Sequence, residues 1–256
     1  MYNATHVQAS VTGANKNNSS RKQYNYVGLI IGVILWLLAV VAMIMLSLFA
    51  HSHRLPTPFE LTTSRDIQHI AFPPIIQATM RWFTAVNDPG PDVFIVPAVV
   101  LILALCRKFL EAGFLALSAG IGNGIDALIG DYVQRPRPTP NMIHVDSILK
   151  FNSFPSGHSC HMMVFYGFLL YLSLRKPVRQ WKYRWALLPL QIFAVVTILI
   201  MGFARIWEGE HWITDVLGGY LDGAIWMVFF IFLYSLTWHR LRDRRERKAQ
   251  VAAGAV

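Results

Sequence analysis

Six apolar runs dominate the chain, at about 26–50, 92–106, 109–130, 158–174, 185–204 and 215–238, with polar segments between them. A helix needs roughly 20 apolar residues to cross the hydrocarbon of a bilayer, so the pattern predicts six spans. The second run is the shortest and reaches that length only when the residues from Pro91 to Lys108 are read as its ends. The first follows a polar leader of about 25 residues, exceeds the roughly 7–15 residues of a signal-peptide core and lacks a small-residue cleavage site. It reads as a retained span. The expected fold is all-α, a polytopic membrane helical bundle.

Composition agrees. The chain is 54% hydrophobic and only 14% charged, where a soluble domain carries about 25% charge. Its net charge of +9 would suit nucleic acid, but the basic residues are confined to short loops and tails between the apolar runs. That distribution is a topology signal and excludes a nucleic-acid face. Lys16, Arg21 and Lys22 precede the first run, Arg107 and Lys108 follow the second, and five basic residues from Arg175 to Arg184 follow the fourth. Six more, Arg240 to Lys248, end the chain, so sixteen of the 23 Lys and Arg fall on one side. The positive-inside bias therefore places both termini in the cytoplasm. In a bacterium the protein would lie in the cytoplasmic (inner) membrane. The layout is a polar tail at 1–25, a membrane domain at 26–238 with an outer loop or cap at 51–91, and a basic tail at 239–256.

Within the outer loop, Ile67, Ile70, Ile75, Ile76, Met80 and Phe83 recur at roughly helical spacing around Pro73-Pro74. This predicts either an interfacial helix on the outer leaflet or a packed cap. Ala112, Ala116, Gly120 and Gly124 form one small-residue stripe, and Gly219 and Gly223 another. Both are expected to be packing seams within the bundle. Asp126 and Asp222 interrupt apolar runs and should face the interior, as functional groups or as interhelical hydrogen bonds. Two cysteines, Cys106 and Cys160, form neither a disulfide framework nor a metal-ligand pattern.

Chemistry concentrates in three segments, each where an apolar run meets an outer loop. The first is Arg135-Pro136-Arg137-Pro138, where the prolines stiffen the exit and present guanidiniums suited to bidentate phosphate binding. The second is Pro155-Ser156-Gly157-His158. Ser156 suits a helix N-cap, Gly157 lets a ligand approach the backbone, and the first turn is an anion cradle. The third joins Arg205 to His211 and Asp215. The last two stand at i, i+4, so a carboxylate there could accept a hydrogen bond from one ring N–H, fix the tautomer and leave the other nitrogen as nucleophile. Together these groups supply what phosphoryl transfer requires without a metal or an organic cofactor.

In this order the segments resemble the type 2 phosphatidic acid phosphatase superfamily, integral lipid phosphatases that share motifs with vanadium haloperoxidases and bacterial acid phosphatases. The second motif of that superfamily, P-S-G-H, matches Pro155 to His158 in full, and the third, S-R-x5-H-x3-D, matches at Arg205, His211 and Asp215 with Ala204 in place of serine. The resemblance spans roughly residues 92 to 238. It implies that His211 attacks phosphorus to form a phosphohistidine, that Asp215 orients it, and that His158 protonates the leaving oxygen. Arg137, Arg205, Ser156 and Gly157 would hold the phosphoryl oxygens. The first motif, K-x6-R-P, departs: Gly130 stands where its lysine would be, and Arg135 is the nearest replacement cation, with Lys150 more distant.

The implied substrate is a membrane lipid phosphate or diphosphate at the outer face, such as undecaprenyl diphosphate, phosphatidylglycerophosphate or phosphatidic acid. Carrier recycling on that face favours the polyprenyl diphosphate. Two alternatives remain: a lipid-linked phosphotransferase using the same intermediate, and a catalytically silent scaffold or transporter that keeps the fold, which Gly130 would favour.

Overall fold

The computed structural model of the chain describes residues 5–252, and among them it is built from helices and loops with no strand. In chain order the elements are α1 (Thr5–Ser52), α2 (Pro58–His69), α3 (Pro74–Val86), α4 (Pro89–Leu105), α5 (Phe109–Val133) and α6 (Gly157–Leu174). A short α7 (Lys176–Arg179) and a 3₁₀ turn (Arg184–Leu187) lead to α8 (Leu188–Trp207) and α9 (Ile213–Ala252). The chain divides into two compact units, Met1–Ala42 and Met43–Val256. The first is the greater part of α1, which is continuous from Thr5 through the expected polar tail; residues 1–4 of that tail, and 253–256 of the basic one, lie outside the described residues. The second unit carries every other element.

Its polarity is that of a membrane protein. Leu101, Leu105, Leu128, Leu190 and Leu199 are exposed, whereas Glu60, Arg135, His211 and Asp215 are fully buried. Four described helical stretches are long and apolar enough to cross a membrane: Tyr26–Ser52, Phe109–Val133, Arg184–Trp207 and Ile213–Ala252. α3 with α4 makes a fifth as a bent pair. α6, the remaining element of the six expected, is less apolar because His158, Ser159 and His161 fill its first turns.

Local sequence sets the ends that matter. Thr57 caps α2 through a reciprocal box with Glu60, the arrangement that satisfies two orphan helix donors at once. α5 stops at Gln134, which adopts a left-handed conformation (φ 51°) and donates its N–H to Gly130 O. Ser156 takes the N-cap position of α6 as expected, but its side chain caps no backbone N–H there; it accepts a hydrogen bond from Ser159 Oγ.

The core runs along α6, where Met162, Phe165, Phe168 and Leu172 meet Leu115 of α5, Met201 of α8 and Phe230 and Tyr234 of α9. α6 and α9 approach through the second glycine stripe. A Cβ on Gly219 would stand 2.3 Å from Ser156 O, and one on Gly223 would stand 2.6 Å from Cys160 O. Backbone meets backbone there, as the stripe predicts. The first stripe behaves otherwise: Gly120 and Gly124 have nothing within 4 Å of a built Cβ, and on α5 it is Gly122 that packs, against Val164. Between the seams, Cys160 Sγ donates to Asp222 Oδ2 and Trp226 Nε1 to Asp222 Oδ1, so Asp222 is an interhelical acceptor.

The 51–91 segment packs against the bundle. α2 and α3 lie on α8, and α2 also touches α9. Phe83 stacks on Phe193, and Phe72 meets Phe203 and Trp207 edge-on. Gln68 of α2 donates to His144 O and Trp207 O. Gly209, at φ 70° with His144 O only 1.9 Å from any Cβ, lets the 134–156 loop close over the start of the third motif.

This packing predicts opposite outcomes for two glycine substitutions. Gly219→Ala must separate α6 from α9 and should cost at least the roughly 1–3 kcal/mol of an overpacked core, read as a clear drop in the thermal midpoint of the detergent-solubilised protein. Gly120→Ala should leave the midpoint within about a degree, since surface-like changes stay near ±0.5 kcal/mol.

Candidate active site

The C-terminal ends of α5 and α8 and the N-terminal ends of α6 and α9 converge, and all three motif segments meet there. Of the expected residues, His211, His158, Arg137 and Arg205 come together around one cavity of about 1000 Å³. His211 is fully buried, reached through Arg137, which lines the cavity.

His211 is held at both nitrogens. Nδ1 donates to Ser153 O at 2.8 Å, which leaves Nε2 with its lone pair and places it 3.1 Å from the donating Arg137 Nη1. Arg137 is itself fixed by Phe151 O and Glu210 O. Asp215 does not make the direct contact that the i, i+4 spacing suggested, since its Oδ2 is 3.8 Å from Nδ1, beyond hydrogen-bond range. It acts one step back. Asp215 Oδ2 accepts from Ser153 Oγ at 2.5 Å and from Trp212 N–H at 2.9 Å, so the carboxylate holds the residue whose carbonyl fixes the imidazole tautomer.

Arg135 also lies elsewhere than expected. Its side chain is fully buried, ion-paired at 2.8 Å with Asp215 Oδ1 and at 2.8 Å with Glu60 Oε2, and it donates to Thr214 Oγ. It is spent on positioning Asp215 and does not reach the cavity, so it cannot stand in for the lysine absent at Gly130. A Cβ on Gly130 would contact Phe154 O and Asn152 at 3.4–3.8 Å, so the position faces the segment leading into α6. Ser156 is buried with its N–H on Asp215 O, while Gly157 beside it does face the cavity.

His158 Nε2 lies 2.7 Å from Arg205 Nη2 and 3.1 Å from Asp88 Oδ1. One nitrogen cannot serve both partners together: Nε2 accepts from Arg205 when it carries no proton and donates to Asp88 when it does. Arg205 is nearly enclosed, with its guanidinium against Glu210, Glu208 (3.5 Å) and Asp88 (2.7 Å). Asp88 is half-exposed at the turn between α3 and α4, and Asn87 next to it is pinned by Tyr166 OH at 2.7 Å. In this resting arrangement its carboxylate bridges Arg205 and His158, as an oxygen of a bound phosphate would.

Electrostatics follow from this geometry. Burial, and next the positive charge of Arg137, push the His211 pKa down to about 4 against the pull of Asp215, so the ring is a free base at neutral pH. Burial raises the pKa of Glu208 to about 7 against the effect of Arg205. Glu60 resists burial and stays below the usual carboxylate value because Arg135 and Thr214 hydrogen-bond to it. A hydrogen bond with His158, then those with Arg205, likewise holds Asp88 down in spite of desolvation.

Sequence reasoning missed Glu60, Ser153, Asp88, Glu208 and Glu210. Only Glu60 carried a local signal, the Thr57-x-x-Glu60 capping box, and that announces a helix start rather than an ion pair across the molecule. Glu208 and Glu210 lie between two motif residues, where spacing says nothing of side-chain direction, and Asp88 lies 117 residues upstream of the arginine it meets.

A sequence profile of the PAP2 superfamily matches residues 111–242, just over half of the chain. Phosphatidylglycerophosphatase B of Bacillus subtilis (strain 168) is 28% identical over 152 residues, 58% of this chain and 70% of that protein. Two crystal structures share the fold. A transmembrane PAP2-type phosphatidylglycerolphosphate phosphatase from Bacillus subtilis superposes with a TM-score of 0.60 at 20% identity, covering 78% of this chain and 96% of its own. Aquifex aeolicus LpxE gives 0.53 at 18% identity, over 68% and 96%.

The depressed His211 pKa has a consequence for stability. Above pH 6.5 the ring is neutral folded and unfolded alike. As pH falls from 6.5 toward 4, the unfolded chain takes a proton that the folded site refuses. Thermal midpoints of the wild type should therefore decline across that window, and the decline should be shallower in His211→Ala.

Proposed function

The chain belongs to the PAP2 superfamily, and from that membership we propose that it is a membrane lipid phosphatase that works through a phosphohistidine on His211. The observation that carries this reading is the pairing of each histidine with an arginine: Arg137 on His211 Nε2 and Arg205 on His158 Nε2, both arginines lining one cavity. A phosphate entering between them displaces the Asp88 carboxylate from Arg205 and draws Arg137 onto its oxygens, which uncovers the His211 lone pair.

His211 Nε2 then attacks phosphorus, forming the N–P bond as the bond to the lipid oxygen breaks. His158 gives its Nε2 proton to that oxygen, and assistance of this kind is typically worth about 10²–10⁴-fold. In the second half-reaction His158 takes a proton from water, the hydroxide attacks phosphorus, and the N–P bond breaks to release phosphate and restore both rings. Arg137, Arg205 and the Gly157 N–H hold the charge that develops on the phosphoryl oxygens. Ser153, Asp215, Arg135 and Glu60 keep the attacking nitrogen in its tautomer.

The apolar exterior supports a lipid substrate presented from the bilayer. The name of the Bacillus subtilis relative supports phosphatidylglycerophosphate as a concrete candidate beside phosphatidic acid and undecaprenyl diphosphate. The distribution of Lys and Arg supports a cytoplasmic location for both termini and an outward-facing site.

Purified wild type should release inorganic phosphate from a panel of lipid phosphates at least a thousandfold faster than His211→Ala. Equal release by the two would sink the hydrolase reading, and transfer to a lipid or sugar acceptor without free phosphate would establish the phosphotransferase. Orientation is read separately. In a Cys106→Ala background, a cysteine replacing the exposed Asn141 should react with a membrane-impermeant thiol reagent in intact cells, and labelling only after lysis would reverse the topology.

A further inference from the structure

The cavity that begins at Arg137, Arg205 and His158 does not end there. It continues between α4 and α5, where Val96, Pro97 and Val100 face Ala116, Ala119 and Gly120 in a purely apolar groove. Between the two ends lies a polar band of four residues that the reaction does not use: Asp92, Asn123, Asp126 and His161. Helix register puts the band in the same place on each wall. On α6, His161 is one turn deeper than His158, about 5 Å along the axis. On α4, Asp92 precedes Val96 and Val100, and on α5 the order from the site end is Asp126, Asn123, Gly120, Ala116.

The band is unsatisfied. Asn123 Nδ2 donates to His161 Nδ1 at 2.7 Å, which puts the ring proton on Nε2. That nitrogen lies 3.3 Å from Asp92 Oδ2 without forming an aligned hydrogen bond. Neither it nor Asp92 Oδ1 nor Asp126 Oδ1 has a hydrogen-bond partner among the described residues, although all three atoms are enclosed. His161 is 7% exposed and Asp126 8%. Buried polar atoms are paired in the great majority of cases, and leaving one unpaired costs about 1–3 kcal/mol. Such atoms on three helices around one cavity describe a partner with hydrogen-bonding capacity of its own. The sequence phosphate site, polar band, apolar groove is also the order of groups along an amphiphile.

We propose that Asp92, Asn123, Asp126 and His161 form a subsite for a hydroxyl-bearing linker between the scissile phosphate and the lipid tail, as in a glycerol-type phosphate headgroup. The inference rests on the lipid-phosphatase reading and narrows its substrate. A hydroxyl both donates and accepts, so it can satisfy a carboxyl oxygen and the His161 N–H together. An ester carbonyl only accepts, and a prenyl chain does neither. The depth of the band, one helical turn from His158, is within reach of a three-carbon linker.

The test uses three phosphate monoesters of matched tail length: a 1-alkylglycerol 3-phosphate with its free hydroxyl, its 2-deoxy counterpart, and a prenyl phosphate. Wild type should show a kcat/KM at least tenfold higher for the hydroxylated ester than for either of the others. His161→Phe and Asp92→Val should each bring that ratio to within about twofold. Equal turnover of hydroxylated and deoxy esters by the wild type would overturn the subsite while leaving the phosphatase reading intact, as would variants that lower all three rates by one factor. Release from none of them by the wild type would count against the phosphatase itself. In that event, thermal stabilisation of His211→Ala protein by the three lipids still decides the subsite: preferential stabilisation by the hydroxylated ester supports it, and equal stabilisation refutes it.

Discussion

The site depends on one buried charge. Arg135 has no solvent around it, and its guanidinium is compensated only by Asp215 on α9 and Glu60 on α2. Breaking a buried pair of this kind typically costs 3–5 kcal/mol, because the partner left behind is an uncompensated ion. From that pair the order passes outward: Asp215 holds Ser153, the Ser153 carbonyl holds Nδ1 of His211, and Nε2 is left to Arg137, which lines the cavity. α2 is thereby tied to the position of His211 although no residue of α2 lines the cavity. Glu60 is also the N3 residue of its own helix, so the interaction that starts α2 and the one that anchors Arg135 share a carboxylate.

A second constraint is steric. α6 brings the P-S-G-H segment and α9 brings Asp215, and the two helices touch backbone to backbone at Gly219 and Gly223. The Ser156 N–H on Asp215 O joins the same two elements at their ends. Electrostatics decide which way the residues point, while the glycine seam decides how far apart the two histidines stand.

Much of this was readable beforehand. Apolar runs located the long helices, four stretches and one bent pair of which are long and apolar enough to cross a membrane. The motif segments met at one end of the bundle because α5 and α8 end where α6 and α9 begin. The Gly219–Gly223 stripe was a seam, as small residues at that spacing imply. Interactions whose partners are distant in sequence were not readable. Spacing alone paired His211 with Asp215, yet the carboxylate serves Ser153, because the chain between Arg137 and Pro155 folds in beneath the imidazole. Arg135 looked like a spare cation for phosphate only while its buried partner, Glu60, 75 residues upstream, was out of view. Within the Ala112–Gly124 stripe, Ala116 and Gly120 line the cavity; smallness serves an open space as well as a tight contact.

The glycine seam carries a consequence for how such an enzyme can diversify. Its two catalytic halves are joined through main-chain atoms, which no side-chain replacement can move by a useful fraction of an ångström without parting the helices. The wall made by α4 and α5 is different: it is open at Gly120 and lined by small and branched residues that can be exchanged one at a time. A rigid seam on one side and a permissive groove on the other let the groove be reshaped while the spacing of the two motif segments stays where it was.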